Sequence, residues 1–191
     1  MARVDVLLKL YYGLGRVRAL PYFLLTGLRF ASVGRLLKLF GSSNIEVGPN
    51  VSVGDNCWIQ AVTRYKGIDY APQIIIGGNV SLSDSVHISA VSSIRIGAGT
   101  LIGSSVYIGD HSHGSTDFST ASLALRPALR PLSDINPITI GANVWIGDGV
   151  RILAGACIPD CAVIGANSVV KDTFLCAGII AGVPARLIRK F

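Results

Sequence analysis

An aliphatic residue recurs every six positions along most of this chain. It falls at Val47, Val53 and Ile59, at Ile76, Leu82 and Ile88, and at Ile96, Ile102 and Ile108. It resumes at Ile140 and runs through Ile146, Ile152, Ile158 and Ile164 to Val170. Glycine often follows, as at Gly48, Gly77, Gly103 and Gly147, and a small or β-branched residue stands four positions on, as at Val80, Val106, Val144 and Ala162. An α-helix, with about 3.6 residues per turn, would scatter such positions around its surface. Read as short strands joined by turns, each hexad points one aliphatic residue inward. The glycines, with Asn50, Asp55, Asn79, Asn143 and Asn167, suit corners that visit positive φ. Three hexads close one triangular coil, and stacked coils bury a continuous aliphatic column. The expected fold is therefore mainly β, a parallel β-helix over residues 45–191.

Two longer stretches interrupt the beat. Residues 60–75 form a short polar excursion containing Arg64, Tyr65, Lys66, Asp69 and Pro72. Residues 110–137 form a longer aperiodic stretch that opens on His111 and His113, two of the chain's three histidines. A long loop extruded from a rigid coil is a favoured place for function.

Residues 1–44 obey another pattern, in which leucine and aromatic clusters alternate with basic residues. This predicts a basic, amphipathic helical arm of two short helices broken at Pro21. Residues 1–40 hold seven basic residues (Arg3, Lys9, Arg16, Arg18, Arg29, Arg35 and Lys38) against Asp5, which is the whole net charge of +6. Such a segment suits an anionic membrane surface, and equally suits a cap over the open end of the solenoid. The uncharged run 19–28 is shorter than the roughly 20 residues that span a bilayer. No small-residue cleavage site follows an apolar core, which argues against a signal peptide. The heavy aliphatic load argues against nucleic acid. The expected location is cytoplasmic, with peripheral contact at the inner face of a membrane through residues 1–40 as one reading of the arm.

Composition adds two points. Charged residues make up 15% of the chain, below the roughly 25% of a typical soluble domain, so part of the surface is expected to pack on another copy. Cys57, Cys157, Cys161 and Cys176 show no CxxC spacing and read as buried thiols of a reducing compartment, without a disulfide framework.

The segments VYIGDHSHG at 106–114, PITIGANVWIGDGVRILAGACI at 137–158, VIGANSVVKD at 163–172 and AGVPARLI at 181–188 carry a resemblance. They resemble the hexapeptide-repeat O-acetyltransferases, in the branch that acetylates sugars of O-antigens, capsules and exopolysaccharides. That branch is related to galactoside and maltose acetyltransferases. The resemblance implies a left-handed β-helix over 45–191, a homotrimer with sites between subunits, and acetyl-CoA as co-substrate with no metal. The acceptor is then a saccharide that is free, nucleotide-linked or lipid-linked.

The family's catalytic histidine lies five residues after the aliphatic that begins the last hexad before the loop. Ile108 begins that hexad, so the resemblance assigns the general base to His113 and leaves His111 to orientation or substrate contact. Trp145 matches the tryptophan lining the acyl and acceptor end of the cleft. Asp148, Gly165 and Ala166 fall along the pantetheine arm, and Gly182, Val183, Pro184 and Ala185 fall against the adenine. Arg186, Arg189 and Lys190, in the tail 176–191, are candidates for CoA phosphates. Where the galactoside and maltose enzymes have an acceptor-binding asparagine, this chain reads LSDSVHIS at 82–89. Asp84 and His87 are therefore the acceptor-side candidates. Two alternatives compete: a zinc hydratase similar to γ-class carbonic anhydrases, using the three histidines, and a non-catalytic β-helix scaffold.

Overall fold

The computed structural model describes residues 2–114 and 125–191. One helix, α1 (Ala2–Thr26), precedes a solenoid of short parallel strands, a left-handed β-helix. Each coil crosses three faces. The first face stacks Ser32–Val33, Ser52–Val53, Ser81–Leu82, Leu101–Ile102, Trp145–Ile146 and Val163–Ile164. The second stacks Lys38–Phe40, Trp58–Ala61, His87–Ala90, Tyr107–Gly109, Arg151–Leu153 and Val169–Val170. The third stacks Ile45–Val47, Gln73–Ile76, Ser93–Ile96, Ile138–Ile140 and Cys157–Ile158.

Register is set by the interior. Ile59, Ile88, Ile108 and Ile152 lie directly over one another on the second face. Ile76, Ile96, Ile140 and Ile158 do the same on the third, and all are buried. Burying each such side chain contributes about 1.5–3 kcal/mol. A slip of one residue would turn a whole strand's isoleucines outward, so the stack tolerates one register.

The corners revise one expectation. Positive φ is carried by Asn50, Asn56, Asn79, Asn143 and Asn167, by two serines, and by Gly99 and Gly149 among others. The glycines that follow the inward aliphatics take ordinary φ instead. They are required by stacking: a Cβ on Gly77 would lie 2.6 Å from the Ala98 nitrogen in the coil above, and one on Gly97 would collide with Gly141. Corner aspartates add backbone caps. Oδ1 of Asp55, Asp84, Asp148 and Asp160 accepts the N–H of Arg35, Asp55, Ser104 and Ala142 respectively, at 2.6–2.7 Å.

Three further differences from the sequence reading emerge. The solenoid begins at Ser32 rather than residue 45, because Gly41 and the short 3-10 turn Ser42–Asn44 shift Val33 and Leu39 out of phase with Val47. Helix α1 runs through Pro21 unbroken; Pro21 is exposed, so the carbonyl it leaves unbonded can be hydrated. Of the cysteines Cys57 is buried, whereas Cys161 and Cys176 are exposed, and all four are free.

Helix α1 closes one end of the solenoid. Gly15 and Ala19 are buried against it, Arg18 Nε donates to the Val33 carbonyl at 2.9 Å, and Tyr22 Oη donates to the Leu37 carbonyl at 2.9 Å. At the other end Gly178–Gly182 joins the first face and turns back antiparallel onto Ala185–Lys190.

Candidate functional site

On the second face the residue before each inward aliphatic points outward. This puts Lys38, Trp58, His87, Tyr107 and Arg151 in one register. The Trp58 and His87 rings stack at 4.4 Å and 11°, Tyr107 meets His87 edge-on at 5.3 Å, and Lys38 Nζ lies 5.1 Å from the Trp58 ring centre. Burial, then the charges of His111 and Lys38, push His87 below its ordinary pKa. Burial pushes the Tyr107 phenol up, and Asp110 adds to that shift.

Both interruptions leave the same edge, between the second and third faces, from coils two apart. Between them the chain turns tightly at Val91 and Ser92. Asp110, fully buried, caps that turn: Val91 N–H donates to Oδ1 at 2.9 Å and Ser92 N–H to Oδ2 at 2.8 Å. The same Oδ1 lies 3.0 Å from His111 Nδ1. A carboxylate only accepts, so Nδ1–H is the donor in this contact and the ring is held in one orientation. The His111 side chain is 5% exposed.

His113 stands just beyond, exposed, on Ser112–His113, which pairs antiparallel with Leu132–Ser133. Its ring lies 6.2 Å from that of His111. The excursion of the second coil is a hairpin, Arg64–Tyr65 with Ile68–Asp69, turning at Lys66 and Gly67. It brings Tyr65 edge-on to His113 at 5.6 Å, with its hydroxyl 3.4 Å from Nδ1. Residues 115–124 of the predicted loop lie outside the described residues.

The other candidates are distributed elsewhere. Trp145, 57% exposed, projects from the first face between Leu101 and Val163, so one chain holds it on a different face from the histidines. Asp84 is not beside His87: it caps the Asp55 N–H and lines a cavity of about 490 Å³ between helix α1 and the first face. Asp148 accepts from Ser104 N–H at the same corner two coils on. Gly165 faces Ala181, where an added Cβ would come within 2.9 Å of the alanine Cβ. Ala166 packs over Gly147, Gly182 takes φ +108°, and Val183 and Pro184 form the exposed tip of the last hairpin. Arg186 Nη1 donates to Asp172 Oδ2 at 2.7 Å, and Arg189 lies over Phe191.

Trp58, Tyr65, Tyr107 and Asp110 join the candidate histidines in the structure, and sequence reasoning missed them. Three of them were findable: Trp58 and Tyr107 share the outward phase of His87, and Asp110 sits where Gly-Asp corners recur.

Among the described residues no three His, Cys, Asp or Glu side chains converge as a metal-binding group. No protein-family model matches the chain. It is 38% identical over 150 residues to the Escherichia coli K12 protein WbbJ, named for O-acetyl transfer in lipopolysaccharide biosynthesis, covering 78% of this chain and 72% of the relative. It is 33% identical over 141 residues to the galactoside O-acetyltransferase of the same strain, covering 73% of this chain and 63% of that enzyme. Among solved structures, the Bacillus cereus N-acyltransferase AntD, in complex with dTDP-4-amino-4,6-dideoxyglucose and coenzyme A, superposes with a TM-score of 0.70 over 90% of this chain and 88% of its own, at 17% identity. A Vibrio cholerae hexapeptide-repeat acetyltransferase complexed with acetyl coenzyme A superposes with a TM-score of 0.59 over 99% and 90%, at 23% identity. With its repeat, its histidine-bearing loop root and these relatives, the chain belongs to the hexapeptide-repeat O-acetyltransferase family, on the branch that holds the lipopolysaccharide enzyme.

Proposed function

We propose that this protein moves an acetyl group from acetyl-CoA to a saccharide hydroxyl during assembly of a bacterial surface polysaccharide, with His113 as general base. The observation that carries this is the exposed His113 at the loop root, in the phase the family uses, beside a buried Asp110–His111 pair. His113 Nδ1 faces the Tyr65 hydroxyl, which leaves Nε2 to take the proton of the sugar hydroxyl as that oxygen attacks the thioester carbonyl. Backbone N–H groups stabilise the oxyanion. As the tetrahedral intermediate collapses, the C–S bond breaks, the proton passes from His113 to the leaving thiolate, and no acyl-enzyme forms. His111, fixed by Asp110, orients the acceptor, and the stacked His87 edge lies on that side.

Trp145 and the small residues Gly165 and Ala166 offer the acetyl-CoA pantetheine a flat, open strip on the first face, ending at the Val183–Pro184 tip. Because this strip and the histidines occupy different faces of one chain, a complete site requires a neighbouring copy, which supports a homotrimer. No helix of the described residues is long and apolar enough to cross a membrane. The proposed location is the cytoplasm, at the inner face of the membrane through residues 1–40.

The test is acetyl transfer from labelled acetyl-CoA to glycan precursors, with His113→Ala beside the native chain. Loss of turnover by about 10²–10⁴-fold with acetyl-CoA affinity retained is expected. Near-normal turnover in His113→Ala would remove the assignment. Surface glycan with unchanged acetylation in cells lacking the gene would remove the substrate class.

A further inference from the structure

Helix α1 uses one side to cap the solenoid and leaves the other bare. Leu10, Leu14, Val17, Leu20, Leu24 and Leu25 recur at helical spacing along the outer side and are all exposed, Leu24 to 71% and Leu25 to 85%. Capping therefore accounts for Gly15, Ala19 and Tyr22, and for none of this stripe.

A further apolar residue joins it from the solenoid. The corner between the first and second faces requires positive φ in every coil, at Leu36, Asn56, Ser85, Ser105, Gly149 and Asn167, with φ between 58° and 70°. Hydrogen bonds from Asn56, Ser85, Ser105, Gly149 and Asn167 back to the coil before confirm that these corners are equivalent. Five of the six carry residues that suit this conformation or water. The first carries leucine, which is strained there and is 76% exposed. Fold stability alone would favour asparagine at this corner. Leu36 faces Leu25 and Pro21 across a shared apolar groove, so the stripe continues from helix to solenoid.

Charge identifies the occupant. The whole net charge of +6 resides in residues 1–40, and Arg16 and Arg29 are both exposed at one margin of the stripe, where they line a groove with Leu20 and Phe23. An apolar strip with a basic margin matches an anionic bilayer surface, where leucines enter the acyl boundary and each arginine adds favourable attraction to the headgroups. We propose that the outer side of helix α1, together with Leu36, docks on an anionic lipid bilayer. The docking deepens the peripheral placement proposed above and does not depend on the acetyl-transfer chemistry.

The experiment is co-sedimentation of the full chain with sucrose-loaded vesicles of phosphatidylcholine alone or with one third phosphatidylglycerol. Binding to the anionic vesicles should exceed binding to the neutral ones by about tenfold or more and weaken with added salt. Leu24→Glu/Leu25→Glu should reduce it to the neutral-vesicle level. Leu36→Asn should weaken it about threefold while the melting temperature holds or rises, since asparagine relieves the corner. That combination separates docking from folding. Equal binding to both vesicle types, or none, would overturn the proposal. So would a change in solution mass for Leu24→Glu/Leu25→Glu with vesicle binding intact, which would assign the strip to a second copy. Acetyl transfer to a soluble acceptor, measured on the same variants, reads the chemistry separately: its absence in the native chain would count against the enzyme reading and leave the docking result standing.

Discussion

Asp55 and Asp110 do the same structural job in two regions of the solenoid. Each is a buried carboxylate at a corner, and each accepts backbone N–H from the coil before it, one at Asp55 and two at Asp110. Around Asp55 every remaining partner is also scaffold: the Arg35 guanidinium and the Tyr11 hydroxyl, which fasten helix α1 and the first coil together. Around Asp110 one partner is a histidine. The two sites differ in where the chain goes next, since it continues into a coil after Asp55 and into an extruded loop after Asp110. A cap that is ordinary architecture in one region becomes, in the other, the grip on His111, the candidate for acceptor orientation. Burial and hydrogen bonding of a carboxylate therefore do not mark a site here; the break in periodicity beside it does.

The largest expected effect falls on His113, which has no part in any cap. His113→Ala should lower kcat by about 10²–10⁴-fold with the melting temperature unchanged, and a parallel loss of both would erase the contrast. Asp110→Asn should act in both currencies. It places an amide donor against backbone donors, at a cost of about 1–3 kcal/mol in denaturant unfolding. It also frees His111, so the pH profile of kcat/KM should change shape. An unaltered profile would make Asp110 another Asp55.

Asp55→Asn is the converse. It should cost about 1–3 kcal/mol with kcat per folded chain unchanged. The Arg35 N–H, chiefly, holds the Asp55 carboxyl below its ordinary range despite burial. Its contribution is thus complete above the unfolded value of about 3.9 and is lost as pH falls through the lower folded value, in the acid region below about pH 4. Asp55→Asn should flatten stability there. The smallest effect concerns His87. Its folded pKa is depressed, so on descending through the ordinary value of about 6.5 the unfolded chain gains a proton that the folded ring refuses. Stability should decline below that pH, and His87→Asn should reduce the slope.

The interior isoleucines made most of the fold legible in the sequence, because each must point inward and each coil must repeat the last. The first coil escaped because the insertion around Ser42–Asn44 breaks the count, although Val33-Gly34 carries the same signature. The helix through Pro21 escaped because local sequence does not show which side of a helix faces water. In the candidate site, His113 was assigned through the phase that the family resemblance implies. Its neighbours Tyr65 and Asp110 depend on which corners stack, a property of coil count that periodicity contains only when followed outward from the core. Asp84 looked like a ligand contact because its cap partner, Asp55 N–H, lies 29 residues away.

The rigid register also acts as a ruler. Stacked strands sit about 4.8 Å apart, so the coil bearing Tyr65 and the coil bearing His113 are separated by about 10 Å along the axis. The Arg64–Asp69 hairpin spans that interval from outside, attached at one edge and contributing nothing to the isoleucine columns. Its length can therefore change without disturbing the scaffold, and each added or removed residue would raise, lower or remove the roof above His113. The surroundings of His113 can therefore change through one short insertion while the foundation beneath them stays fixed.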